Sequence, residues 1–546
     1  MPAWLQALDR HFPIRYLVWL VCGVGFLLCA FVWVAFNQWG LMALLLAVLV
    51  GLGVRDSLQT KRAVLRNYPV IGHIRFLLEY IRPEIRQYFI ESDTESHPFS
   101  RQQRSLVYQR AKGDSDKRPF GTQLDVQAQG YEWINHSLQP TRVASHDFRV
   151  LVGEARAKPY SASVFNISAM SFGALSANAI LALNGGAKRG GFAHDTGEGS
   201  ISVHHRVHGG DLIWEVGSGY FGCRNDDGTF NADRFAASAC EPQVKMIELK
   251  LSQGAKPGHG GVLPGPKVTA EIAAARGVPI HVDCISPARH SAFSTPIEMM
   301  LFIERLRELS GGKPTGFKLC IGHPWEWFAI CKAMLETDIT PDFIVVDGAE
   351  GGTGAAPLEF TDHVGTPLQE GLLLVHNTLV GLNLRSRMRL GAAGKVVSAF
   401  DIARMMALGA DWCNAARGFM FALGCIQAQH CHTGACPTGV TTQDPLRQRA
   451  LVVGDKIERV VRFHEGTLEA LKELVQAAAL EHPTQIRATH IVRRGNDREV
   501  RLLANSLFFL QPGELLAAID GRARWPHPVY ELYWPRAQAS SFAAAS

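Results

Sequence analysis

Apolar and polar positions fall along this chain in three textures. The first is continuous. Residues 16–36 are 21 uncharged, almost wholly apolar positions, Asn37-Gln38 interrupts them, and residues 39–54 form a second uncharged apolar run of 16. A helix of about 20 residues spans a hydrocarbon core of about 30 Å. The pair therefore predicts a transmembrane hairpin, its second arm slightly short unless tilt is small or the bilayer thins. A hairpin buried in a soluble body is the alternative. A signal peptide fits poorly, because the first run is long, no small-residue cleavage site stands out and a second run follows. The second texture is amphipathic and helical over residues 61–110: 66–68, a break at Pro69, then 71–80 and 85–90. Residues 97–105 (HPFSRQQRS) and 111–122 (AKGDSDKRPFGT) read as loops.

The third texture begins near residue 160, where short apolar runs end in Gly-rich or polar loops and alternate with helical stretches. It predicts strands at 163–169, 192–195, 246–252, 280–286, 316–321, 343–347, 388–392 and 412–416. Helices at 177–188, 267–276, 296–309, 326–336 and 399–408 separate them. Eight such units over about 250 residues match an α/β protein of the (β/α)8 TIM-barrel type better than a doubly wound sheet. No strand–GxGxxG–helix fingerprint speaks for a nicotinamide domain. Beyond the barrel, 455–480 reads as a long amphipathic helix and 537–546 (AQASSFAAAS) as a loose tail. The expected organisation is a hairpin at 1–60, a helical and loop linker packing on the barrel at 61–150, the barrel at 151–446 and a helical extension at 447–546.

Composition changes this picture little. Hydrophobic residues are 47% and charged residues 19%, and the net charge of +5 is too small in 546 residues to argue for nucleic acid. The 11 cysteines are mostly scattered, which suits a reducing compartment better than a disulfide framework. Arg10 and Arg15 precede the hairpin, and Arg55, Lys61, Arg62 and Arg66 follow it. Positive charge at both ends places both in the cytoplasm and the barrel on that face of the membrane.

In a barrel of this kind the chemistry sits at the C-terminal ends of the strands. Glycines there let backbone approach a ligand, and successive N–H groups form anion-binding nests. Gly351-Gly352, Gly394 and Gly418 fall at three such ends and point to a phosphate-bearing cofactor. Lys318 lies inside an apolar strand, where a cation needs a negative partner unless it snorkels to solvent. Cys425, Cys431 and Cys436 are spaced Cx5Cx4C with Pro437 after the last. Such a loop suits an iron–sulfur cluster. Zinc with His430 or His432, and free structural thiols, are the alternatives.

Six segments in order resemble the FMN-binding domain of glutamate synthase over about residues 160–446: AMSFGALS, DTGEGS, SQGAKPGHGGVLPGPKV, ISP, GGTGAAP and LGCIQAQHCHTGACPTGVTTQDP. The flanks LRNYPVIGHIRFLLEYIRPEIRQYFIESD and PFSRQQRS resemble its stand-alone, membrane-anchored members, so the resemblance covers nearly the whole chain. It implies FMN and a [3Fe-4S] cluster, and the reduction of 2-iminoglutarate to L-glutamate. By that resemblance Met170 and Ser171 would lie under the flavin ring and Lys318 at its N1 side. Gly351, Gly352, Gly394, Arg417 and Gly418 would surround the phosphate, and the three cysteines would hold the cluster. Lys256 and Arg276 would hold the carboxylates of 2-oxoglutarate, and Glu198 would stand where ammonia enters.

The implied partners are a 2-oxoacid, ammonia or an amine donor, an electron donor such as ferredoxin or a reductase subunit, and membrane lipid. Two departures stand out. Where the family loop reads GAKPGEGGQLPG, its Glu is His259 here and its Gln, a substrate contact, is Val262. The glutamine-hydrolysing domain begins with a cysteine nucleophile, whereas Pro2 follows Met1 here, so this chain alone is expected not to hydrolyse glutamine. A membrane-associated FMN dehydrogenase that oxidises a 2-hydroxy or 2-amino acid toward the quinone pool is a rival reading, favoured by the anchor and Val262. A non-catalytic electron-transfer subunit is a third.

Overall fold

The computed structural model describes residues 14–95, 97–496 and 499–545, in two compact units, Met1–Ser96 and His97–Ser546. The residues at 97–150 cluster with the barrel body.

In the first unit the apolar runs form helices Leu17–Phe36 and Gly40–Leu58, both long and apolar enough to cross a membrane. Asn37 and Trp39 turn the chain between them with positive φ. Trp19 Nε1 donates to the Val50 carbonyl at 3.2 Å, and its ring lies against Gly53, where a Cβ would fall 2.3 Å away. Val34 stands 87% exposed and Leu41 74%. Arg10 lies outside them. Helices Ala63–Asn67 and Gly72–Ile85 and a π-turn Arg86–Ile90 follow.

The second unit is a closed eight-stranded parallel barrel. Its strands are β1 (Phe165–Ile167), β2 (His194–Asp195), β3 (Leu212–Val216), β4 (Val244–Lys250), β5 (Thr315–Leu319), β6 (Phe343–Asp347), β7 (Arg389–Ala393) and β8 (Trp412–Ala415). Two expectations fail here. Residues 280–286 are not a barrel strand. Only Cys284–Ile285 is extended, pairing antiparallel with Val262–Leu263 in the long excursion after β4. The strand in its place is β3, an apolar run (LIWEV) broken by an acid whose partner lies across the barrel. The stretch 97–105 is not all loop either. Ser100 accepts from Gln103 N and Gln103 returns a bond to Ser100 N, a capping box that starts helix Arg101–Lys112.

Antiparallel strands Arg149–Val152 and Tyr160–Ser163 close the barrel's lower end. Val152, Tyr160 and Ala162 pack there with Ala193, Phe343 and Trp412 at the strand starts. The long helix Val453–Ala477 lies on Ala177–Gly190, where a Cβ on Gly185 or Gly186 would fall 2.5 or 2.3 Å from Ile457 or Val460. Glu132–Ile134 joins Ile491–Asn496 and Glu499–Leu502 in a small sheet, with Glu132 held by Arg404 and Arg493. The tail from 537 is not loose. Ala537 and Ala539 are buried, the Ala537 carbonyl accepts from Lys332 Nζ at 2.8 Å, and the Ala539 carbonyl accepts from Ile297 N at 3.1 Å.

Within the lower core Trp412 rests on Gly391, where a Cβ would lie 2.7 Å from the indole. Trp412→Ala should cost about 3–5 kcal/mol, read as a lowered urea midpoint of the full-length protein. Gly391→Ala should destabilise by displacing the same ring.

Candidate active site

The C-terminal ends of all eight strands open into one cavity of about 1630 Å³. Met170 and Ser171 follow β1, and the turn after β2 lies directly on them. Gly197 has φ +64, and a Cβ there would fall 2.6 Å from Ser171 N. Gly351 and Gly352 follow β6, Gly394 follows β7, and Arg417 and Gly418 follow β8; all line the cavity. A Cβ on Gly352 would meet the Arg417 guanidinium at 3.0 Å, so glycine there gives the cation access to the loop. Asn414 also lines the cavity, and its Oδ1 is buried without a hydrogen-bond partner. An amide oxygen in that state and a glycine cradle beside a guanidinium fit a phosphate-bearing ligand with donors of its own.

Beneath the mouth lies a cluster that the sequence only half disclosed. Lys318 on β5 is buried, as its apolar strand required, but the chain supplies its partners. Its ammonium bonds the Glu215 carboxylate of β3 and lies 3.2 Å from Glu248 of β4. Neither Glu248 oxygen makes an aligned hydrogen bond. Asp195 of β2 completes the group, and Asp347 of β6 stands close by, accepting from Gly254 N at 2.8 Å. Burial, then Glu215, pushes Asp195 up to about 7 against the pull of Lys318. Burial likewise raises Glu248 and Asp347. Burial works against the charge on Lys318, but Glu215 and Glu248 outweigh it and hold the ammonium charged. Four acids around one cation cannot all ionise in a dry interior, so part of the group keeps its protons. Asp195, Glu215 and Glu248 are the one set among the described residues compact enough for a metal ion, and Lys318 already supplies their counter-charge.

Beside this cluster, where Lys250 of β4 is the in-register neighbour of Lys318 on β5, stand Glu198, Lys250, Lys256 and Arg276. Glu198 pairs with Lys250 at 2.9 Å. Burial alone would raise the Glu198 carboxyl, but Lys250, with Arg276 and Lys256, carries it down to about 2, so it is ionised at neutral pH. Sequence reasoning missed Lys250, whose signal is a cation closing an apolar strand (IELKLS). Lys256 donates to the Gly260 carbonyl at 3.1 Å, and burial lowers its pKa. Arg276 donates to the Phe172 carbonyl at 3.0 Å and lies over the Phe221 ring, with Nε buried and unpartnered. His259 and Val262 line the same space.

Cys425 and Cys431 border this cavity and a small adjoining pocket, into which Cys436 also faces. The thiol loop is pinned from three sides. Tyr108 donates to the Cys425 carbonyl at 2.6 Å, Gln427 to Phe99 O at 3.3 Å, and Lys267 to the Cys431 carbonyl at 2.9 Å. A Cβ on Gly354 would lie 3.2 Å from Cys431 Cβ, so the glycine loop after β6 touches the thiol loop. Burial lifts Cys425 to about 11. For Cys436 burial is outweighed by hydrogen bonds from Thr438 and Thr441, which bring it to about 7. The three sulfurs are not mutually within 4.8 Å, whereas thiolates on one zinc stand about 3.8 Å apart. His430 and His432 are exposed. Three thiols on one short loop are a donor set of the kind that iron–sulfur clusters use.

Residues 134–481 match the family model described as the conserved region in glutamate synthase. The chain belongs to the glutamate synthase family. The large subunit-like protein YerD of Bacillus subtilis is 37% identical over 502 residues, covering 84% of this chain and 95% of that one. The archaeal glutamate synthase (NADPH) of Methanocaldococcus jannaschii is 34% identical over 62% of this chain and 64% of its own length. The glutamate synthase (NADPH) large chain of Bacillus subtilis is 33% identical, but only 20% of it is covered. Among solved structures, a flavocytochrome b2 mutant with pyruvate bound aligns at 10% identity and a TM-score of 0.41, over 83% of this chain and 92% of that one. This glutamate synthase relative is an oxidoreductase built on a closed parallel barrel.

The buried cluster makes a test in this family member. Lys318→Met strands the carboxyls and should cost about 3–5 kcal/mol. Asp195, raised to about 7, gives stability that is full below its unfolded pKa and lost as pH rises through 7. Without the lysine more carboxyls keep protons above neutrality. Stability should then fall more steeply from pH 6 to 8 than in the parent, by about 1.4 kcal/mol per pH unit for each extra proton retained. Urea midpoints at the two pH values check this.

Proposed function

We propose that this chain reduces the imine of a 2-oxoacid, 2-oxoglutarate foremost, to the amino acid, with FMN at the barrel mouth and a [3Fe-4S] cluster on Cys425, Cys431 and Cys436. The observation that carries the reading is convergence. A glycine-and-arginine cradle, a thiol loop, and two cations beside an ionised carboxylate border one cavity. FMN and the cluster, held there, would supply the chemistry of converting single electrons into a hydride equivalent. The protein's own residues do the positioning. Gly351, Gly352, Gly394, Arg417 and Gly418 would hold the phosphate, with Met170 and Ser171 against the ring. Lys256 and Arg276 would hold the two carboxylates of 2-oxoglutarate by charge-assisted bonds. Glu198, kept ionised by Lys250, would accept N–H bonds from ammonium or the imine. Lys318 would present a fixed positive charge to the flavin edge that gains negative charge on reduction.

Nitrogen would come from ammonia or an amine donor, and electrons from ferredoxin or a reductase subunit. The hairpin would anchor the chain in a membrane, with the barrel on the cytoplasmic face that Arg15, Arg55, Lys61, Arg62 and Arg66 favour. Val262 and the anchor favour a second reading, oxidation of a 2-hydroxy or 2-amino acid toward the quinone pool. Purified protein given 2-oxoglutarate, ammonium and reduced ferredoxin separates the two, because only the first yields glutamate.

Cofactor content gives a sharper check. Serine at each of Cys425, Cys431 and Cys436 should remove iron and the EPR signal of the oxidised cluster while leaving flavin absorbance. Arg417→Ala should weaken FMN binding about 10- to 100-fold, the loss of one charge-assisted pair. Iron content unchanged in all three serine variants would end the cluster assignment.

A further inference from the structure

Residues 72–90 carry an amphipathic pattern that the catalytic reading leaves unused. Ile74, Leu77, Leu78, Ile85 and Phe89 recur at helical spacing along Gly72–Ile85 and Arg86–Ile90. All five are exposed, Leu77 by 58% and Phe89 by 85%. Arg75, Arg82 and Arg86 flank this stripe. An exposed apolar stripe of that length needs an occupant.

Two observations name it. Asp56, in the last turn of the second membrane-length helix and 2% exposed, accepts from Val70 N at 3.0 Å and contacts His73 Nε2 at 2.9 Å. That pair ties the start of the amphipathic helix to the end of the apolar span, the level at which hydrocarbon gives way to headgroups. Between residues 55 and 90, seven Lys and Arg stand against three acids, one of them the buried Asp56. A basic amphipathic helix beginning at that level matches an anionic lipid surface in both charge and position.

We infer that residues 72–90 lie in the plane of the bilayer surface as an interfacial helix, with Ile74, Leu77, Leu78, Ile85 and Phe89 in the headgroup–acyl boundary of an anionic leaflet and Asp56 as the latch to the hairpin. The inference rests on the membrane reading of that hairpin, and the test separates the two. Full-length protein is reconstituted in vesicles of phosphatidylcholine with phosphatidylglycerol. A nitroxide is coupled to a ketone-bearing phenylalanine analogue, which leaves the native thiols alone, placed in turn at Leu27, Leu78 and Arg82. Collision with oxygen against a water-soluble nickel chelate reports depth. The label at 27 should sit deep in hydrocarbon, the label at 78 about 5–10 Å into the boundary, and the label at 82 in water. Asp56→Ala should raise nickel access at 78 without altering 27. A label at 78 in water while 27 stays in lipid would overturn the interfacial helix and spare the anchor. Protection of 78 from both reagents would mean protein covers the stripe, and would overturn it as well. Water at 27 would sink the anchor and the interfacial helix together.

Discussion

The ammonium of Lys318 is the charge around which the barrel interior is arranged. Carboxyls point inward from β2, β3, β4 and β6, and one lysine from β5 meets them. Removing that many ionisable groups from water is tolerable only where opposite charge and retained protons keep the net charge near zero. Apolar side chains would fill the same space at no such cost. The cluster therefore makes better sense as a fixed electrostatic floor for the cavity above than as a source of stability.

What stood out in the sequence was the chemistry at strand ends. Every side chain singled out there lies at the one cavity or, for His430 and Cys436, in the pocket beside it. The reason is physical: Gly pairs, a Cys loop and a lone strand lysine are expensive in a core, so their presence in such places is informative. Pairing across the barrel was illegible. Glu215 interrupts the pattern of β3 because its partner sits two strands away, a contact no local window contains. The stretch 280–286 has strand-like composition, yet it lies in an excursion where its strand pairing is with Val262–Leu263 and not with the barrel. The capping box at Ser100 is legible as S-x-x-Q, a short signal inside a polar stretch of loop-like composition. The alanine-rich tail has no periodicity of its own, and backbone bonds to Lys332 and Ile297 decide its position.

The thiol loop and the glycine loop after β6 come from segments about 80 residues apart, yet Gly354 and Cys431 are in contact. Tyr108 and Phe99, from the segment ahead of the barrel, hold the same loop from outside. The barrel is thus shared property. Residues before β1, the β6 loop and the β8 extension together define one wall, in accord with a resemblance to YerD that runs along most of the chain.

Arg149–Val152 and Tyr160–Ser163 stopper the barrel from below, which leaves its interior a single way out. With Val152, Tyr160 and Ala162 packed against the strand starts, the inner carboxyls communicate with solvent by way of the upper opening. Whatever occupies that opening governs how fast hydrogen ions come and go beneath it.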